Sequence, residues 1–237
     1  MAHLVMGYPS LAESLRSAEQ YIASGCRILE LQIPFSHPTA DGPVITQACR
    51  EAVERAHTRV EDCLEMVAIL RQRYPEQEII LMSYTNRIYH YGLKKFATAL
   101  LSLKVKHLIV PDLPVDSPIA RQLEGITLVP VLAANVSQER LAHLLAMDFD
   151  FYYLMSDFKI TGSTFSLHPQ LARVIAAIRA GAPQARIGIG FGISTPEQVR
   201  AVAQYADVAI VGSALIQAQQ RGDLSQTLQT LVGSLSR

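Results

Sequence analysis

The run Ile28-Leu29-Glu30-Leu31-Gln32-Ile33-Pro34-Phe35-Ser36-His37-Pro38-Thr39-Ala40-Asp41-Gly42-Pro43 reads as a strand, a loop and the start of a helix. Side chains alternate across a strand, so Ile28, Glu30 and Gln32 share one face while Leu29, Leu31 and Ile33 share the other. A carboxylate therefore stands inside an otherwise apolar strand. The Pro, Gly and small residues that follow end the strand, place Asp41 on a loop and let Pro43 take the first position of the next helix. One acid in the strand and one on the loop above it form a candidate acid/base pair.

The same unit recurs along the chain. Short apolar, β-branched runs alternate with longer segments of helical periodicity, which is the pattern of a parallel sheet covered by helices. Strands are expected at His3 to Gly7, Ile28 to Ile33, Glu78 to Tyr84, His107 to Asp112, Ile126 to Leu132, Phe151 to Met155, Arg186 to Gly190 and Val208 to Val211. Ser10 is placed to cap the first helix and Gly25 to end it; Ser137 caps a later helix running to Met147. Helices are also expected from Pro43 toward Ala56, from Val60 to before Pro75, from Tyr91 to Leu103 despite Gly92, from Ser117 to Glu124, from Pro169, from Thr195-Pro196-Glu197, from Ala214 and from Leu224 to the end. Eight strand and helix units without a composition shift are the formula of a single-domain (β/α)8 TIM barrel, residues 1–237. A doubly wound open sheet is the alternative, but it usually carries a Gly-rich fingerprint after its first strand, where this chain has only Gly7.

Composition narrows the function. The chain has 237 residues, 49% of them hydrophobic, enough for a large core. Twenty-one basic and 21 acidic side chains cancel, so nothing favours nucleic acid or an anionic membrane as partner. Charged residues interrupt every long apolar stretch. The three cysteines, Cys26, Cys49 and Cys63, have neither CxxC spacing nor an even count, which fits a reducing, cytoplasmic setting. The histidines, His3 among them, show no metal-binding spacing and read mostly as surface residues. A small-molecule enzyme is the default.

In a barrel, ligands sit at the C-terminal ends of the strands, and phosphate is often held by the loops after the last two strands together with a short helix. Gly192 and Gly212-Ser213 occupy those places and can present backbone N–H groups at a helix start; Gly162, in the long connection Ser156 to His168, can add another. A lone glycine after a strand is more often only a turn; two such sites after adjacent late strands favour phosphate. Glu30 has a bland reading too, as a structural acid paired with a buried base. If catalytic, burial is expected to raise its pKa toward neutrality while Asp41 on its loop stays ionised. Tyr84, Tyr153 and Asn86 lie at or past strand ends where they can line a pocket, although packing is the commoner role there.

These motifs together resemble the tryptophan synthase α subunit family. Glu30 to Pro43 is similar to the family signature, and Gly7-Tyr8-Pro9-Ser10, Leu81-Met82-Ser83-Tyr84-Thr85-Asn86, Leu108-Ile109-Val110-Pro111-Asp112-Leu113-Pro114, Ile160-Thr161-Gly162, Gly190-Phe191-Gly192-Ile193-Ser194 and Val211-Gly212-Ser213-Ala214 follow in the family's order. The resemblance implies a barrel that cleaves indole-3-glycerol phosphate to indole and glyceraldehyde 3-phosphate without metal or organic cofactor, and a β-subunit partner in an αββα-type complex. It implies that Glu30 protonates the indole C3, Asp41 accepts the indole N–H, Thr161 positions that acid, Tyr153 lies near Glu30, and Gly162, Gly192, Gly212 and Ser213 bind phosphate.

Departures from the pattern cluster around function. Gln32 replaces a glycine and faces as Glu30 does, which is expected to narrow the pocket or change the substrate. His37 replaces an aspartate in the loop that touches the β subunit, and Arg87 stands where Pro commonly follows Asn. In the loop after the sixth expected strand, Asp157 and Lys159 replace a basic residue and a glycine. The family's helix before the first strand has no counterpart in this sequence. Two alternatives therefore stand beside the lyase: a barrel acting on another phosphorylated substrate, and a weakly active subunit that mainly activates a β-type partner.

Overall fold

The strand Ile28–Gln32 (β2) is buried along its whole length, as a strand with a barrel lumen on one side and helices on the other must be. It pairs in parallel with Ala2–Val5 (β1) on one side and Glu78–Met82 (β3) on the other, and His107–Ile109 (β4) and Thr127–Leu128 (β5) continue the sheet. A second parallel sheet runs Val131–Ala133 (β6), Phe151–Met155 (β7), Arg186–Gly190 (β8) and Val208–Ala209 (β9). The computed structural model describes residues 1–155, 168–190 and 192–235.

Two seams join the sheets into a ring. At the first, the expected strand Ile126 to Leu132 is divided into β5 and β6. Pro130 has no N–H for a ladder and breaks it. Val129 N still donates to Leu108 O at 2.9 Å, keeping the first half on β4, while Tyr153 N donates to Pro130 O at 3.0 Å, keeping the second half on β7. At the other seam Ala2 bridges Val211 in parallel, with His3 N to Val211 O at 2.9 Å and Val211 N to Met1 O at 3.1 Å. The order is thus that of the expected (β/α)8 barrel, with one strand interrupted.

Helices cover the outside. Leu11–Ala23 (α1) starts at Ser10, whose Oγ accepts from Glu13 N at 3.2 Å, and Gln138–Leu145 (α6) starts at Ser137 in the same way. Between them lie Pro43–Glu54 (α2), Val60–Arg73 (α3), Thr85–Tyr91 (α4) and Leu93–Ser102 (α5). The helix expected from Tyr91 is split because Gly92, at φ +98°, leaves the helical conformation. The one expected from Ser117 is only a 3-10 turn at Ala120–Gln122. After β7 come Pro169–Gly181 (α7), Pro196–Val202 (α8), Ser213–Arg221 (α9) and Leu224–Gly233 (α10).

Two layers of apolar side chains follow from the alternation. Leu29, Leu31, Leu81, Leu108, Leu154 and Ile187 face the helices, whereas Ile80, Met82, Ile109, Phe151, Val208 and Ile210 fill the lumen. On β8 the lumen positions are Gly188 and Gly190, where an added Cβ would lie 2.8 Å from Phe151 Cζ and 2.5 Å from Tyr153 Oη. The missing side chains make room for those two rings. Below them, Arg186 of β8 makes a bidentate pair with Glu78 of β3 at 2.6 and 2.8 Å and ties the lower mouth.

Candidate active site

Glu30 points into the lumen from the middle of β2 and is 3% exposed. The β1–β2 register sets His3 directly beside it. His3 Nδ1 lies 3.1 Å from Glu30 Oε1, and the imidazole is 4% exposed. This histidine is therefore not a surface residue. It is the buried base against which a strand carboxylate can be balanced. Burial lowers the His3 pKa, but the charge and hydrogen bonding of Glu30, with smaller contributions from Asp41 and Gln32, outweigh it and raise the value above 6.5.

Asp41 sits just before α2, half-buried, and its Oδ2 accepts twice: from Gln32 Nε2 at 2.7 Å and from Tyr84 Oη at 2.8 Å. Tyr84 Oη in turn accepts from Ala40 N at 3.1 Å, which fixes the loop. Gln32 is fully buried and holds Asp41 instead of narrowing the pocket, so its bulk acts on the second acid. Desolvation raises the Asp41 pKa, against the pull of His3, Gln32 and Tyr84 toward the charged form.

Both acids open into one cavity of about 340 Å³. Its walls include His3, Glu30, Asp41 and Tyr153 together with Gly192, Ser194, Gly212 and Ser213 and the apolar Met82, Ile109 and Met155, and a Cβ added at Gly212 would lie 3.4 Å from His3 Cβ. Gly212 is the N-cap of α9 and makes no side-chain cap, so that helix start presents backbone donors to the cavity. Tyr153, at 9% exposure, has its hydroxyl pKa raised well above the ordinary value by burial, and with the charges of Glu30 and Asp41 it stays a neutral donor. Asn86 is exposed and does not line the cavity. Thr161 and Gly162, with Asp157 and Lys159, lie outside the described residues.

Six of the eight candidate residues, namely Glu30, Asp41, Tyr153, Gly192, Gly212 and Ser213, thus border one space. The sequence family described as Tryptophan synthase alpha chain matches residues 1–233. The chain belongs to the tryptophan synthase alpha chain family. A tryptophan synthase alpha chain of Dehalococcoides mccartyi is 34% identical, over 99% of this chain and 92% of that protein, and one of Acaryochloris marina is 36% identical over 96% and 86%. Among solved structures, tryptophan synthase from M. tuberculosis in an aminoacrylate-bound form is 28% identical with a TM-score of 0.85, covering 98% of this chain and 91% of that one. Tryptophan synthase subunit alpha from Legionella pneumophila is 30% identical with a TM-score of 0.84, covering 99% and 91%. Membership in the tryptophan synthase alpha family agrees with a TIM barrel whose polar groups gather at the C-terminal ends of its strands.

His3 and Tyr84 are the site residues that sequence reading did not assign. The signal for His3 was its position: a lone imidazole in a run of otherwise apolar strand residues. Tyr84 was placed near a pocket, but its bond to Asp41 depends on how the loop after β2 folds back.

Proposed function

We propose that this chain cleaves indole-3-glycerol phosphate to indole and glyceraldehyde 3-phosphate by acid/base catalysis. One observation carries this reading: a single cavity is lined both by two carboxylates and by an uncapped helix start. The phosphate is held by backbone donors around Gly192, Gly212 and Ser213, where the dipole of α9 favours an anion. The apolar wall of Met82, Ile109 and Met155 accepts the indole ring. Glu30 gives a proton to the indole C3, and Asp41 takes the hydrogen bond of the ring N–H, stabilising the positive charge that protonation creates. Both protein donors to Asp41 end on Oδ2, which leaves Oδ1 for the substrate.

Incubating the purified chain with indole-3-glycerol phosphate, with and without a tryptophan synthase β subunit, tests the assignment directly. Indole is the expected product, and inorganic phosphate is expected to raise KM while leaving kcat unchanged. No indole under either condition would sink it. A β-type subunit is the partner that family membership supplies, and His37 stands exposed on the loop after β2 with Ser36 Oγ 2.9 Å from its Nδ1. We place the chain in the cytoplasm, because Cys26, Cys49 and Cys63 are all free thiols; no helix among the described residues is long and apolar enough to cross a membrane.

Tyr84→Phe removes one of the two protein donors that favour ionised Asp41. The pKa of Asp41 is expected to rise further, and because Asp41 acts as the carboxylate, the acid limb of the pH–rate profile should move to higher pH. The rate near neutrality should fall about tenfold, in the range of one charge-assisted hydrogen bond. A profile superimposable on that of the unmodified chain would show that Tyr84 only packs.

A further inference from the structure

His3 and Glu30 form a buried pair whose outer atoms are not satisfied. His3 Nε2 and Glu30 Oε2 are both hidden from solvent and have no hydrogen-bond partner among the described residues. Both residues line the cavity. A buried ion pair with unmet polar atoms is a poor stabiliser, and apolar side chains of similar size commonly serve a fold better in such a place. The lumen around it is otherwise lined by the apolar Ile28, Ile80, Met82 and Ile210.

We propose that His3 is a positioning residue for the carbon–carbon cleavage, holding the Glu30 carboxylate in place and sharing with it the single proton that the reaction lends and recovers. The inference rests on the lyase reading. The proton balance is closed. His3 passes its Nδ1 proton to Glu30 Oε1, and Glu30 delivers it to the indole C3; a ring π pair forms the C3–H bond and leaves positive charge at the ring nitrogen facing Asp41. Glu30, again a carboxylate, then takes the proton of the adjacent carbinol hydroxyl. The O–H pair becomes the aldehyde C=O, the C–C bond breaks, and its electron pair returns to the ring and cancels the charge. The His3–Glu30 pair ends with the proton it began with, and no co-reactant is consumed.

The surroundings of His3 suit that role. Glu30 and Gln32 face it from β2 and Asp41 from the loop that follows, while Tyr153 borders the same cavity from β7. The Met1 ammonium lies at the start of its own strand, bonded to Ala209 O at 2.8 Å. From α1, Tyr21 Oη donates to the His3 carbonyl at 3.4 Å; α9 brings Gln217 to the cavity and α2 brings Ile45, neither of them charged. Acids thus dominate around the imidazole and favour its charged form. A base whose pKa is raised by folding contributes stability that is full below the unfolded value and lost as pH rises through the folded one. The shared proton is therefore released at a higher pH than a free imidazole would release it.

The test compares pH profiles of kcat and KM for the unmodified chain, His3→Gln and His3→Phe, with thermal unfolding to confirm that each variant is folded. Both variants are expected to lose roughly 10- to 100-fold in kcat, as a disabled acid/base pair should, with KM changed less than about threefold. Their alkaline limb should shift, since the imidazole that shares the proton with Glu30 is gone. As a readout that needs no His3 variant, NMR titration of the His3 ring should show a lower pKa in Glu30→Gln than in the unmodified chain. Limbs that stay in place in an active enzyme, or a His3 titration indifferent to Glu30→Gln, overturn the inference alone. An unmodified chain that releases no indole at any pH overturns the lyase reading and this inference with it.

Discussion

Glu30→Gln is expected to release indole 10²- to 10⁴-fold more slowly than the unmodified chain, the range for removing a general acid/base. The amide keeps the size of the carboxyl group and can still face His3, but it can neither donate a proton to carbon nor receive one from the carbinol. KM should change little, because the backbone donors proposed for the phosphate belong to α9 and not to the Glu30 side chain. Stability should not fall with activity. The substitution removes one charge of a buried pair, and His3 can answer by losing its own proton, since Glu30 supplies the largest contribution that favours its charged form. Steady-state kinetics and a melting curve on the same preparation read both outcomes. Turnover within tenfold of the unmodified chain would remove Glu30 from the chemistry.

Gly7→Ala is expected to be the most damaging of the small substitutions to the fold. Gly7 ends the run from β1 at φ +83°, a conformation that L side chains rarely adopt. An added Cβ would lie 2.0 Å from Thr58 Oγ1 and 2.8 Å from both Cβ and Cγ2 of that residue. Thr58 is 3% exposed and β-branched, so it has no free rotamer to retreat into. Gly7 N also donates to Ser14 Oγ at 3.0 Å, which ties the turn to α1 and resists a shift of the backbone. Backbone strain and overpacking together predict a loss of roughly 2 to 5 kcal/mol. Chemical denaturation would measure it, and Thr58→Ala placed in the same chain should recover part. A variant as stable as the unmodified chain would mean that the turn relaxes at no cost.

Local pattern carried much of this molecule. The period of two in Ile28 to Ile33 set Glu30 toward the lumen, and Pro43 marked the start of α2, so Asp41 fell between them. Ser10 and Ser137 capped the helices that their positions announced. Relations created by strand register were not legible. His3 belongs beside Glu30 only because β1 and β2 align in one of several registers that their apolar residues would permit. The raised pKa of Asp41 likewise depends on a loop that folds under Tyr84 and Gln32, where a loop residue read in isolation keeps water around it. Pro130 was visible, yet an apolar run concealed the fact that its flanks pair with different neighbours.

The break at Val129 and Pro130 divides labour as well as hydrogen bonds. His3, Glu30, Asp41 and Tyr84 belong to the part of the chain before it, whereas Gly192, Gly212 and Ser213 follow the last strands of the part after it. On the proposed function, the phosphate's backbone donors and the two acids that act on the bond are thus encoded in separate stretches. On that reading, substitutions before the break would act on the cleaved bond and leave the backbone donors to the anion in place.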